Sequence, residues 1–529
     1  MTKLTCARHL ILMAGLVLSL APWTFAAVAH ISKSAHPGGA YVHGKCLRNS
    51  SEATSSGQAD LPPDMVMVQA PEVRSGSLCT RFPKGSRLVR LEHPYGPPHS
   101  LTPDFFAAAD PRVSFDGARV LFTGKKTTNS LWQIWEINMD GSGARQITHC
   151  PGDCLKPAYL PRGEIVFTAF SKGPVASTPN GSKTHGIKAT AARSATPLRA
   201  TSQLWVCKLD GSDAHAITFG PGDFEVETVL HIGTILATAR SPLLPWNGLP
   251  ADRELYTLRP DGTGLATLRC DHQHPAIRSQ AQELDDGAVV FVKAALSSNN
   301  LGGDLAWIRR GALHNTPLTA TPVVASSPHP IAADEILVAR QSLAGPAKGR
   351  LALYAFDAAS GKFGAPVYQD GRDSTVEAVP VAAHEPPRWY WSTLNPELQR
   401  GYFVCIDAYR AEGAPQGRIA TKLTRIRVLM LDATTQHARL LGEAPIEEDG
   451  SFYIAVPSDH PVRFQVLDGA GHVVREQRSW LWSRSGEEHG CVGCHEDRAL
   501  APENRWPMAL RRFDTPTRLD LANLPVSAH

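Results

Sequence analysis

The chain carries almost no net charge. Lysine and arginine number 53 against 50 aspartates and glutamates, a formal balance of +3 over 529 residues. Without a basic or acidic excess there is no electrostatic footprint for nucleic acid or for an anionic membrane, and neither is expected as a partner. After the first thirty residues no apolar stretch reaches the length of a bilayer span. No nucleophile and base stand at motif-grade spacing, which leaves a hydrolase without support. The histidines His215, His231, His272 and His274 are scattered, and their one local grouping, Asp271-His272-Gln273-His274, reads as surface loop.

Turn-forming residues, by contrast, are plentiful. The 43 glycines and 41 prolines are spread along the chain, which favours short strands joined by many turns over long helices. Residues 1–29 read as a signal peptide. Lys3, Arg8 and His9 make a basic start, residues 10–20 are an apolar run, and Ala27-Val28-Ala29 has the small-x-small form of a cleavage site. Cys6 precedes the apolar run, so it is not placed for lipidation, and no twin-arginine pair is present. The expected location is periplasmic or secreted, with no membrane span once the signal is removed.

An oxidising compartment permits disulfides. Cys46 with Cys79, and Cys150 with Cys154, are possible staples among the seven cysteines that remain outside the C-terminal motif once Cys6 is removed with the signal peptide. The others are Cys207, Cys270 and Cys405, and an odd count leaves at least one thiol over.

From about residue 105 a unit recurs roughly every forty to fifty residues, the period of a multi-stranded propeller blade. The clearest copy runs from Ser114-Phe115-Asp116-Gly117 through an apolar strand at 119–123 and Leu131-Trp132-Gln133-Ile134-Trp135-Glu136-Ile137. It ends with Asp140-Gly141-Ser142-Gly143 and Ile147-Thr148. A second copy has Gly163-Glu164-Ile165-Val166-Phe167, Leu204-Trp205-Val206, Asp210-Gly211 and Ile217-Thr218; a third has Ile235-Leu236-Ala237, Leu255-Tyr256-Thr257-Leu258 and Asp261-Gly262. Two weaker copies follow, at 286–308 and 335–356. Asp-Gly between alternating apolar residues is hairpin chemistry, because that turn takes positive φ angles.

These motifs resemble TolB-like blades and imply an all-β propeller of six or seven blades over residues 85–384, with Leu88-Val89-Arg90-Leu91 as a candidate closing strand. Residues 30–84 are read as a partly disordered N-terminal segment. Residues 171–202 hold five lysines or arginines and no acidic residue, and read as a flexible loop in the second copy.

After Pro386-Pro387 the pattern changes. Tyr402-Phe403-Val404-Cys405-Ile406, a strand at 424–429, another at 450–456 and Val462-Arg463-Phe464-Gln465-Val466-Leu467 predict a small antiparallel β-sandwich over residues 385–529. A further strand at 478–482 leads towards Cys491-Val492-Gly493-Cys494-His495. Two cysteines two residues apart place both sulfurs for thioether bonds to haem vinyl groups, and the next histidine then lies under the iron. One covalent haem c on Cys491, Cys494 and His495 is therefore expected. Two alternatives stay open: zinc bound by His495 and the two cysteines with His489 or Cys405 as a fourth ligand, or a plain disulfide. His489 and Met508 are candidates for the sixth haem ligand. The thirty-four residues after His495 are too few for a helical cytochrome c domain, so the haem is expected against the β module.

The C-terminal region resembles the domain of the hydrazine synthase alpha subunit family. The resemblance rests on Gly442-Glu443-Ala444-Pro445-Ile446, Glu448-Asp449-Gly450-Ser451-Phe452, Trp480-Leu481-Trp482, the Cys491–His495 string and Ala501-Pro502-Glu503-Asn504. It implies a haem-dependent oxidoreductase or electron-transfer protein working with a redox partner protein or a small molecule. In that family's enzyme the motif histidine binds zinc and a tyrosine just beyond the motif binds the iron. This sequence departs from the pattern in two respects, having no tyrosine after Cys494 and no second haem motif. The expectation is a haem protein that does not itself make hydrazine, or else a propeller-based scaffold with a structural zinc or disulfide at 491–495.

Overall fold

A computed structural model describes residues 64–74, 78–92, 96–171, 201–240, 253–268, 276–296, 302–312, 314–319, 322–343, 345, 348–411, 414–432, 437–477, 479–493 and 505–520. The expected signal peptide, most of the basic segment at 171–202 and the histidine grouping at 271–274 lie outside them. No helix among the described residues is long and apolar enough to cross a membrane.

The Asp-Gly turns fold as their chemistry requires. Asp140 Oδ1 accepts the N–H of Ser142 at 2.8 Å, and Gly141 takes a φ of 83°. Asp210-Gly211 and Asp261-Gly262 repeat the turn. Glycine is needed there for a second reason. A Cβ on Gly211 would lie 2.3 Å from the carbonyl oxygen of Ile147, and one on Gly262 would lie 2.4 Å from that of Ile217. Each turn thus packs directly on the copy before it. The Ile-Thr pairs have their own task, since Thr148 Oγ1 accepts the N–H of Ile134 and Thr218 Oγ1 that of Leu204, both at 2.9 Å.

The described residues form six four-stranded blades. Blade 1 is Ala107–Val113, Arg119–Lys125, Gln133–Asn138 and Arg145–Gln146. Blade 2 is Cys154–Leu160, Glu164–Phe170, Ser202–Lys208 and His215–Ala216, and blade 3 is Asp223–Val229, Ile235–Arg240, Arg253–Leu258 and Ala266–Thr267. Blade 4 is Ile277–Glu283, Val289–Ala294, Asp304–Ile308 and Thr316–Pro317, joined to blade 3 by a single parallel bridge between Arg253 and Ile277. Blade 5 is Ala325–Ala332, Glu335–Gln341, Leu351–Asp357 and Lys362–Tyr368.

Blade 6 is assembled from both ends of the ring. Its inner strand is Ser374–Pro380, followed by Asp64–Ala70, Arg87–Glu92 and His99–Ser100. Each inner strand touches the next, and Ser374–Pro380 touches Ala107–Val113, which closes the ring. The propeller therefore begins before residue 85. Asp64–Ala70 belongs to it, with Met65 to Val68 almost wholly buried. No repeat signal marks this strand, because its blade partner is some three hundred residues away. The expected closing strand at 88–91 lies one position further out in the same blade.

An ion cluster lies between blades 2 and 3. Lys156 Nζ sits 3.3 Å from Glu225 Oε2 and 3.1 Å from Glu227 Oε1, and Arg253 Nη1 is 2.6 Å from Glu225 Oε2. Burial works against the charged form of Glu225, but Arg253 and Lys156 outweigh it and hold the carboxyl down at about 2.

The C-terminal module is a sandwich of two four-stranded sheets. One runs Glu488–Gly493, Arg400–Asp407, Phe452–Pro457, Thr517–Arg518; the other runs Ala438–Pro445, Leu423–Leu431, Val462–Asp468, Val473–Glu476. Its apolar core includes Phe403, Ile426, Val428, Ile454 and Val466. The central pairings are antiparallel, whereas Glu488–Gly493 and Thr517–Arg518 join their sheet in parallel. The strand expected at 478–482 is not regular: Leu481 makes one bridge to Val462, and Trp482 turns into the hydrophobic cluster of blades 2 and 3. Trp482 meets Phe224 edge-on at 5.5 Å, and Gly264 donates its N–H to Glu487 Oε1 at 2.7 Å, so the module is seated on blade 3.

The depressed carboxyl of Glu225 leads to a prediction. Its folded value lies below its unfolded one near 4.5, so its stabilisation is complete above about pH 4.5 and is lost as pH falls towards 2. Glu225→Gln leaves two buried cations short of a partner and should cost about 3–5 kcal/mol at neutral pH in urea unfolding. It should also flatten the acid limb of the stability curve. A loss within about 0.5 kcal/mol, the range of an ordinary surface change, would contradict the buried pairing.

Candidate functional site

The motif starts on the edge strand Glu488–Gly493, whose parallel neighbour is Arg400–Asp407. Alternation along that neighbour buries Phe403, Cys405 and Asp407 on one face. The register sets Phe403 beside His489, Cys405 beside Cys491 and Asp407 beside Gly493. The structure thus brings together three of the residues singled out from sequence: Cys405, His489 and Cys491. Cys494 and His495 lie outside the described residues.

His489 stacks on Phe403 at a centroid distance of 5.0 Å and an angle of 15°, and its Nε2 is 3.1 Å from Glu487 Oε2. Burial disfavours the charged form of Glu487. Its contact with His489 and the backbone N–H groups of Arg484 and Gly264 prevail, and hold the carboxyl below the usual glutamate value. His489 is thereby held between Phe403 and Glu487. Met508 opens a short turn, Met508–Leu510, where its N–H donates to Asp449 Oδ2 at 2.9 Å.

Sequence reading missed Asp407. It is almost fully buried and gathers three arginines: Arg418 Nη1 at 2.6 Å, Arg505 Nη2 at 3.4 Å and Arg410 Nε at 3.7 Å. Arg505 also donates to the carbonyl oxygens of Ile406 and Asp449, at 3.1 and 2.6 Å. Gly493 and Arg505, the described residues flanking the stretch with Cys494 and His495, therefore both meet Asp407. The one signal in the sequence was a carboxylate at an inward position of an apolar strand.

The environment of Cys491 differs along its strand. A Cβ on Gly490 would meet no atom of the described residues within 4 Å, whereas one on Gly493 would lie 2.7 Å from the carbonyl oxygen of Arg410. The other expected thiol pair lies far along the chain, in the propeller. Cys150 and Cys154 are in hydrogen-bond contact without a disulfide, which lowers the Cys150 thiol and raises that of Cys154. Nearby Cys207 is pushed up to about 12 by burial. Cys46 and Cys270 lie outside the described residues, and the side chain of Cys79 is not described.

With the geometry in place, known proteins supply the family. Residues 391–496 match the model described as hydrazine synthase alpha subunit middle domain. These residues belong to the hydrazine synthase alpha subunit family. Hydrazine synthase subunit alpha of Kuenenia stuttgartiensis is 33% identical over 131 residues, which is 24% of this chain and only 16% of that protein. The solved Kuenenia stuttgartiensis hydrazine synthase superposes with a TM-score of 0.72 at 20% identity, covering 85% of this chain and 72% of that one. Its likeness therefore extends from the hydrazine synthase alpha middle domain across the propeller, as a likeness of fold. TolB from Acinetobacter baumannii gives a TM-score of 0.41 at 14% identity, covering 60% and 66%.

The two glycines supply a paired test. Gly493→Ala must displace the backbone at Arg410 and should cost about 1–3 kcal/mol in chemical unfolding. Gly490→Ala should stay within about 0.5 kcal/mol of the parent. Equal effects from the two would mean that the strand is not held against Arg410 as described.

Proposed function

We propose that the chain is an exported c-type haem protein of the hydrazine synthase alpha family, working in electron transfer or small-molecule redox chemistry. The observation that carries the reading is Cys491 on an edge strand, next to a Gly490 whose Cβ would meet no atom of the described residues within 4 Å, inside a domain of that family. Among the described residues this strand pairs on one side, with Arg400–Asp407, and a planar macrocycle would be attached along the other. Cys491 and Cys494 would hold the haem covalently and His495 would bind its iron. A bound haem supplies one-electron transfer at that iron. The residues of this chain do the positioning: Asp407 fixes both flanks of the motif stretch, and Glu487 with Phe403 orients the strand through His489.

The reading stops short of hydrazine synthesis. The named relative is a hydrazine synthase subunit, but the matched stretch is a small part of it. This sequence has no tyrosine after Cys494 and only one such motif. A second reading draws on the register of Cys405 with Cys491: a structural zinc or disulfide that pins the segment, in a propeller scaffold.

Haem retention and elemental analysis separate them. Protein matured with a c-type haem system should keep its haem through acid-acetone extraction and give a pyridine haemochrome spectrum with one haem per chain. Cys491→Ser should lose homogeneous attachment. Complete extraction of the haem, or one zinc per chain without iron in elemental analysis, would overturn the haem reading in favour of the scaffold.

A further inference from the structure

Each of the six inner strands carries a bulge at the same level. The ladder registers slip by one residue at Asp110, Lys156, Glu227, Gln280, Ser327 and Glu377. Five of these six take a φ between 50° and 55°, in the left-handed region that side chains rarely adopt. A bulge re-aims a side chain and leaves the extra residue out of the ladder. All six residues line one cavity on the axis of the ring. A strained conformation repeated round the ring at a single level marks that level as the one the propeller is built to present.

The cavity wall is balanced in charge, with Arg81, Arg112 and Lys156 facing Asp110, Glu227 and Glu377. Its hydrogen bonding is not balanced. Glu227 accepts from Thr238 Oγ1 at 3.0 Å, from the N–H of Ala281 at 3.2 Å and from Lys156. Asp110 Oδ2 accepts from Thr123 Oγ1 at 2.8 Å, and Glu377 Oε2 accepts the N–H of Asp110 at 2.8 Å. The buried wall atoms without a partner among the described residues are Arg81 Nη2, Arg112 Nε and Ser327 Oγ. Two of these can only donate, and the third can donate. A buried donor left unmet is costly, so the wall calls for an acceptor.

We propose that the central channel of the propeller binds a small oxyanion, received by Arg81, Arg112 and Ser327. A guanidinium recognises oxyanions through charge-assisted hydrogen bonds, and the low polarisability of a ring interior strengthens them. The cavity volume of about 50 Å³ suits a carboxylate or a small inorganic oxyanion. His329 completes the wall as a neutral group. Burial first, and then the nearby charge of Arg112, push its pKa down to about 3. It therefore adds hydrogen-bonding capacity without adding positive charge at working pH.

The test uses the full chain in calorimetric titration with formate, acetate, nitrite, nitrate and phosphate at matched ionic strength, with chloride as reference. Saturable binding of one anion per chain is expected. Formate and acetate leading the series would identify an organic carboxylate, whereas nitrite, nitrate or phosphate leading would identify an inorganic ion. Arg112→Gln should weaken binding by about tenfold or more, and Ser327→Ala by less, each read on protein that still unfolds cooperatively in chloride. If Arg112→Gln fails to fold, Ser327→Ala decides alone. Absence of saturable binding by all five anions, or binding untouched in the folded variants, overturns the proposal and leaves a channel filled by water.

Discussion

The pairing of Asp64–Ala70 with Ser374–Pro380 is what keeps the propeller shut, and much else follows from it. Without it, blades 1 and 5 would each expose an inner flank, and two strand edges would lie open to other chains. Apolar burial supplies much of the closure, since Met65, Val66, Met67 and Val68 are at most 2% exposed. Polar contacts fix its register. Gln69 Nε2 donates to the hydroxyl of Tyr368 at 2.9 Å, while Arg87 Nη2 reaches Gln69 Oε1 at 2.9 Å and Asp373 Oδ2 at 2.8 Å. Closure also sets the direction of the chain afterwards. The N–H of Val381 bonds the carbonyl of Asp64, that of His384 bonds Phe115, that of Arg388 bonds His231, and Ser392 reaches Asp261. The linker thereby crosses from blade 6 to blade 3, where the module docks.

The parts of this fold that sequence reveals are those encoded locally. Asp-Gly turns, alternating apolar residues and the Ile-Thr pairs each act within one hairpin or between neighbouring copies, so reading the period exposes five blades. Closure is different in kind. Asp64–Ala70 looks like an isolated apolar segment until its partner near residue 374 is known. The bulges at Asp110 and Lys156 leave only a proline at the next position as a mark, because their left-handed conformation is held by neighbouring strands rather than by glycine. In the module, alternation predicted the central strands. The strand Glu488–Gly493 was hidden because His489, Gly490 and Cys491 resemble a loop, and its neighbour among the described residues is the parallel strand Arg400–Asp407.

Cys491 and the channel lie in different parts of the fold, yet one element touches the support of both. Along the inner strand of blade 3, alternation turns Glu225 and Glu227 to the ion cluster and Phe224 and Val226 to the apolar cluster that receives Trp482. Trp482 lies six residues before the strand that carries Cys491, and Glu487 between them bonds both Gly264 of blade 3 and His489. A change of charge at the channel wall can reach the motif only by shifting this strand or its neighbours. The strand is poorly suited to shifting. Lys156 and Arg253 clamp it on one face, Trp482 fills the other, and a Cβ on Gly220 would already be within 3.1 Å of Trp482 and Phe224. Tight packing on both faces makes the strand a rigid mount, so the physical expectation is that a ligand in the channel and a redox group at the motif act independently.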